Sequence, residues 1–113
     1  MTAQGHPLIG RWRIVAADLW ERDYLDLVSP ATLVVRAAGQ GEITFGALQA
    51  SLDIDYGPDE MGFTWAGFDE MDEVSGSGSA ELQADGSLQI EFEYHNGDEA
   101  VLTAVRDPSS TAW

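Results

Sequence analysis

Cysteine and lysine are both missing from this sequence. Without cysteine there is no disulfide framework, no thiol nucleophile and no cysteine–zinc site. The same absence fits a reducing compartment. Without lysine, Schiff-base chemistry and a phosphate-loop lysine are excluded. Cations are scarce altogether: five arginines (Arg11, Arg13, Arg22, Arg36, Arg106) stand against 20 aspartates and glutamates, a formal charge of −15. So acidic a small body repels phosphate backbones and anionic lipid, so neither nucleic acid nor a membrane surface is an expected partner. Long apolar runs are also lacking, and no stretch approaches the length that spans a bilayer. "MTAQGHPLIGRW" has no basic segment followed by an apolar one, the pattern of a signal peptide. The expected location is the cytoplasm.

What is present is enough for one core. At 113 residues with 44% apolar content, the chain should fold as a single domain. Apolar residues alternate with polar ones from end to end, broken by turn residues at regular spacing, which reads as an all-β meander. In "LIGRWRIVA", Leu8, Gly10, Trp12 and Ile14 share one face, and Arg11 and Arg13 share the other. In "EITFGALQASLDI", Ile43 and Phe45 have one parity while Leu48, Ala50, Leu52 and Ile54 have the other. Such a phase slip at Gly46–Ala47 marks a bulge or a sharp bend. The chain is therefore expected to form an antiparallel barrel or half-barrel of seven strands, or eight if Gly46 folds the long one in two. The exception to the alternation is "DLWERDYLDLVSP", where Trp20, Tyr24 and Leu27 follow helical spacing and Pro30 ends the run. A short helix is expected there, bridging the first two strands. Residues 1–7, with His6, read as a flexible leader, 8–106 as the barrel domain, and 107–113 as a loose tail. Trp113, at the end of that tail, is either disordered or docked on a second copy.

Turn chemistry sets the registers. In "QADGS" the apolar parities match only about Asp85, which requires a three-residue loop with Gly86 left-handed. "YHNGD" has two solutions. A two-residue Asn96–Gly97 turn pairs His95 with Asp98 and turns Arg106 outward. A three-residue loop pairs Tyr94 with Asp98, buries Leu102 and turns Arg106 inward, but sets Glu93 against Glu99. The longer loop is preferred because it buries Leu102. It leaves Val101 and Val105 outside, a hint of pairing between subunits, so monomer and homodimer both remain open.

"GRW" at Gly10–Trp12 on the first strand, with Arg106 on the last, resembles the signature of the calycin β-barrels: lipocalins, fatty-acid-binding proteins and avidins. The resemblance implies a barrel of about eight strands, with the indole capping one end and the arginine packed across it. "FTWAGFDEMD", "SGSG" and "YHNGDEA", in that order after "GRWRI", resemble a set of small, functionally uncharacterised bacterial β-proteins. That likeness implies no catalytic residues. The chain is much shorter than a lipocalin, which leaves little room for a large pocket.

The acidic stretch Asp69, Glu70, Asp72 and Glu73 lies at the same end of the sheet as His95, Asp98 and Glu99. Such a cluster reads as a general acid/base site, as an oxygen-rich site for calcium or magnesium, or as solvated hairpin tips. "DIDYGPDE", Asp53 to Glu60, is a second calcium candidate, but Thr64 stands where a bidentate glutamate belongs. Nothing nearby supplies a nucleophile or an oxyanion hole, so the solvated tips are preferred and enzymatic activity is not expected. No metal is expected; Asp69, Glu70, Asp72, His95 and Asp98 are the weak candidates, and no cofactor is implied. Two binding functions then remain. The preferred one is a small apolar ligand held among Trp20, Phe45, Trp65, Phe92 and Tyr94. The other is an acidic surface that caps a basic protein, as an immunity protein or antitoxin would.

Overall fold

Alternation along the chain becomes inside and outside of a closed barrel. The computed structural model describes residues 8–18, 25, 30–36, 39–58, 60–95 and 97–106. Its strands are β1 (Gly10–Ala17), β2 (Thr32–Val35), β3 (Gln40–Phe45), β4 (Leu48–Tyr56), β5 (Glu60–Asp69), β6 (Asp72–Leu82), β7 (Leu88–Tyr94) and β8 (Glu99–Arg106). Each pairs antiparallel with the next, and β8 returns to β1, so the eight strands leave no free edge. β4 shows the rule most cleanly: Leu48, Ala50, Leu52 and Ile54 are buried, and the residues between them are exposed. Each large apolar side chain buried this way contributes about 1.5–3 kcal/mol. Among the described residues, no helix is long and apolar enough to cross a membrane.

The count of eight follows from Gly46. Phe45 pairs with Leu48 across a two-residue Gly46–Ala47 turn, which splits the long apolar run into β3 and β4. Gly46 takes φ 56°, the sign that a type II′ hairpin needs at its first central residue. The Gly46 N–H also donates to the Leu25 carbonyl at 2.8 Å, tying the β1–β2 crossover to this turn. Leu25 is fully buried and is the one described residue of 19–29. The expected helix, with Trp20, Tyr24 and Leu27, otherwise lies outside the described residues.

Both registers expected from the turns are present. Leu82 pairs with Leu88 and Ala80 with Ile90, centred on Asp85, with Gly86 at φ 89°. At the next turn the Tyr94 N–H donates to Asp98 O at 2.8 Å, Ile90 faces Leu102, and Glu93 stands against Glu99. The seam between β1 and β8 slips at Val15, where Ile14 pairs with Ala104 but Ala16 with Thr103. Asp18 fastens its end: its carboxylate accepts from the Val101 N–H at 2.8 Å, and its own N–H donates to Val101 O at 3.0 Å.

The acidic stretch is a hairpin tip, as expected, but a tight one: where the sequence reads as a loop over residues 68–75, β5 and β6 run on until Asp69 faces Asp72 across Glu70 and Met71. Glu70 and Met71 have φ of 59° and 155°, conformations that glycine or asparagine would ordinarily supply. No turn signal marks the site in sequence because the turn uses the wrong residues for its shape. β6 pairs with β7 only from Gly76 onward, so this hairpin tip stands out past the β7–β8 turn.

Candidate functional site

Four of the five residues expected to line an apolar site converge inside the barrel. Phe92, on β7, sits at the centre. Trp65 stacks on it with centroids 4.4 Å apart and planes 17° from parallel. Phe45 and Tyr94 meet it edge-on at 5.3 and 5.5 Å, and Phe63 lies at 6.3 Å. Tyr94 also meets Trp65 edge-on at 5.1 Å. Trp65 Nε1 donates to the Glu93 carbonyl at 3.1 Å, which removes the cost of burying its one polar atom. Trp20 lies outside the described residues. Phe63 joins the cluster without having been singled out as a lining residue, although its alternation with Trp65 was legible. These rings, carried by β3, β5 and β7, lie against one another.

The expected floor is formed as well. Arg106 lies over the Trp12 ring at 4.1 Å, and its Nη1 donates to Ile9 O at 2.7 Å. Trp12 Nε1 donates to Leu8 O at 3.0 Å. Gly10 begins the strand at φ 133°, where a side chain would strain the backbone. Burial pulls the Arg106 guanidinium below its ordinary pKa, while the indole face and the carbonyl keep the cation satisfied. This end is structural: a cation, a ring and two carbonyls hold one another.

Among the described residues, no three histidine, aspartate or glutamate side chains lie close enough to hold a metal ion. His95 instead points to β6, where its Nδ1 shares a hydrogen bond with Ser75 Oγ at 3.0 Å. Asp98 supplies its carbonyl to the turn, and Asp53 and Asp55 face outward from β4. The carboxylates do, however, face one another across the ladders: Glu60 against Glu81, Asp69 against Asp72, and Glu93 against Glu99. Like charges directly opposite on antiparallel strands destabilise the pairing. Replacing one member should relieve it. Glu99→Arg is expected to raise the melting temperature by a few degrees at low ionic strength. The gain should fade as salt screens the pair. A thermal melt of both proteins across a salt series checks this; an unchanged or lower melting temperature at low salt refutes it.

Open space among the described residues lies on the outer surface of the barrel. A groove of about 760 Å³ runs over the outer face of β3, β4 and β5 and ends at the protruding tip. Its floor is made of small residues, Ser51, Ala50, Ala66 and Gly67, and its walls include Phe68, Met71, Glu42 and Glu70. Phe68 is 56% and Met71 94% exposed, the two most exposed large apolar residues described. Neither was expected as a binding residue. The outward parity of Phe68 on β5 was readable; the placement of Met71 depended on the unsignalled turn. Compared with models of known protein families and with curated proteins, the sequence matches none.

Proposed function

We propose that the chain is a non-enzymatic binding module that meets a basic protein partner through its acidic outer surface. The observation that carries this is the set of opposed carboxylate pairs. Glu60–Glu81, Asp69–Asp72 and Glu93–Glu99 each place two negative charges on adjacent strands where a basic partner would relieve the repulsion. The formal charge of −15 and the absence of lysine act in the same direction, by steering cationic partners and repelling further copies. The eight-stranded antiparallel barrel is compatible with a calycin-like frame, and the likeness to the bacterial set of small β-proteins belongs to this proposal too.

The aromatic cluster supports a second function, capture of a small apolar ligand among Phe45, Trp65, Phe92 and Tyr94. Its difficulty is that the rings are packed against each other, so a ligand would have to part Trp65 from Phe92 at 4.4 Å. Native mass spectrometry of gently purified protein separates the two. The expected result is a polypeptide without organic adduct, accompanied by a basic protein that dissociates as ionic strength rises and the screening length falls from about 10 Å at 0.1 M toward 3 Å at 1 M. A stoichiometric organic adduct lost on denaturation would overturn the acidic-surface function in favour of the apolar ligand.

A further inference from the structure

We propose that the outer groove over β3, β4 and β5 is the docking site for a basic peptide segment of the partner that carries an apolar anchor residue. The inference rests on the acidic-surface function proposed above and assigns it a place and a partner chemistry. Three observations combine. First, Phe68 and Met71 present apolar surface at the groove's end, over a floor of Ser51, Ala66 and Gly67 too small to cover them. Second, the apolar pair is ringed by negative charge: Glu42 and Glu70 line the groove, and Glu73 is the cross-strand partner of Phe68. Among the described residues no arginine lines it; Arg36 forms an ion pair with the rim carboxylate of Glu42 at 3.6 Å. Third, the residue most exposed is held out by strain. Glu70 and Met71 occupy positive φ in a turn that Asn-Gly would form without cost, and strain of this kind persists where a side chain is needed.

Charge complementarity selects the occupant. A second copy would bring another −15 to a rim already anionic, so self-association through this face is opposed by long-range repulsion. An anionic or neutral apolar ligand would cover Phe68 and Met71 but desolvate Glu70 and Glu73 without bringing them a cation, which is costly. A segment with lysine or arginine on either side of one apolar residue satisfies both. Its cations reach the rim carboxylates, and its apolar side chain covers Phe68 and Met71. Recognition by this arrangement gains rate and selectivity from the charges and residence time from the apolar anchor.

The test uses the full chain and two short synthetic peptides, one interleaving lysine with leucine and phenylalanine, the other replacing those apolar residues by serine. Backbone amide shifts are followed by NMR at low and high salt. The expected result is that the apolar-basic peptide binds more tightly and shifts residues 42–51 and 66–73. Phe68→Ser combined with Met71→Ser should weaken that peptide roughly tenfold, the loss typical of truncated interface anchors, while leaving the serine peptide and the melting temperature unchanged. Should both peptides bind equally and shift the outer faces of β6 to β8 instead, the groove is refuted and the acidic-surface function survives. No binding of either peptide at low salt overturns both. Shifts in residues 66–73 that depend on protein concentration without any peptide would point to a second copy, and also refute the proposal.

Discussion

Phe92→Ala is expected to cost about 3–5 kcal/mol, the range for deleting a fully buried aromatic ring. Phe92 has no solvent exposure, and four other aromatic rings rest against it. Removing its ring takes the stacking partner from Trp65 and the edge contacts from Phe45 and Tyr94 in one step. The neighbours are poorly placed to close the gap. Trp65 is tethered by its hydrogen bond to Glu93 O, and Phe45 stands at the turn that Gly46 anchors to Leu25. Because the net stability of such a domain is about 5–15 kcal/mol, the loss should lower the melting temperature by roughly 10–20 °C. Phe92→Leu, which keeps much of the volume, should cost clearly less. Denaturant unfolding measures both, and a Phe92→Ala cost near that of an exposed phenylalanine would refute the packed interior. The same variant bears on function. An enclosed apolar void in a stable variant should take up a small apolar probe such as benzene or xenon, which the parent chain, with its rings in contact, should not.

A single methyl at Gly76 should be nearly as damaging. An ideal Cβ built there falls 1.9 Å from the Glu93 carbonyl oxygen and 2.7 Å from Trp65 Cζ2. The oxygen belongs to the β6–β7 ladder and cannot retreat without breaking it, and the same oxygen holds the Trp65 indole. The ring cannot retreat because Phe92 lies behind it. Gly76→Ala is therefore expected to cost about 3 kcal/mol, at the upper end of overpacking penalties, and Gly76→Val more. Gly78 is the matched case, with a Cβ 2.3 Å from Glu91 O and 2.7 Å from the Phe63 ring. Gly86 is the control. It has φ 89° but nothing within 4 Å of a new Cβ, so Gly86→Ala should cost only the backbone strain of about 1–2 kcal/mol. Chemical denaturation of the three alanine variants checks the order. Equal costs would mean that the glycines of "SGSG" serve flexibility and not close approach.

Local chemistry carried most of the fold. Period-2 alternation is a property of neighbouring residues, so the inward faces of β1, β4, β5 and β7 were legible. The parity slip at Gly46 and the turns about Asp85 and after Tyr94 were legible because glycine stands where the backbone needs a positive φ. The pairing of Trp12 with Arg106 followed from the resemblance and was met by the closure of β8 on β1. The acidic hairpin tip was expected, but its tightness was not, for the converse reason: Glu70 and Met71 adopt a turn that their own preferences oppose, so nothing local announced it. That turn closes the long β5–β6 ladder, whose register is set by residues far from the tip.

The candidate sites divided along the same line. Sequence alone determined that the chain is acidic, lysine-free and all-β and that Phe45, Trp65, Phe92 and Tyr94 share inward parity, and it favoured the register that sets Glu93 against Glu99. Only the tertiary structure decided that those rings stack on one another, because ring contacts depend on barrel closure and on Gly76 and Gly78 letting strands approach. It alone decided that the described carboxylates form no three-ligand cluster and that a groove opens on the outer face, beside Phe68 and Met71. Distances between strands far apart in sequence are set by how the sheet curves and closes, and no local pattern of residues encodes that sum.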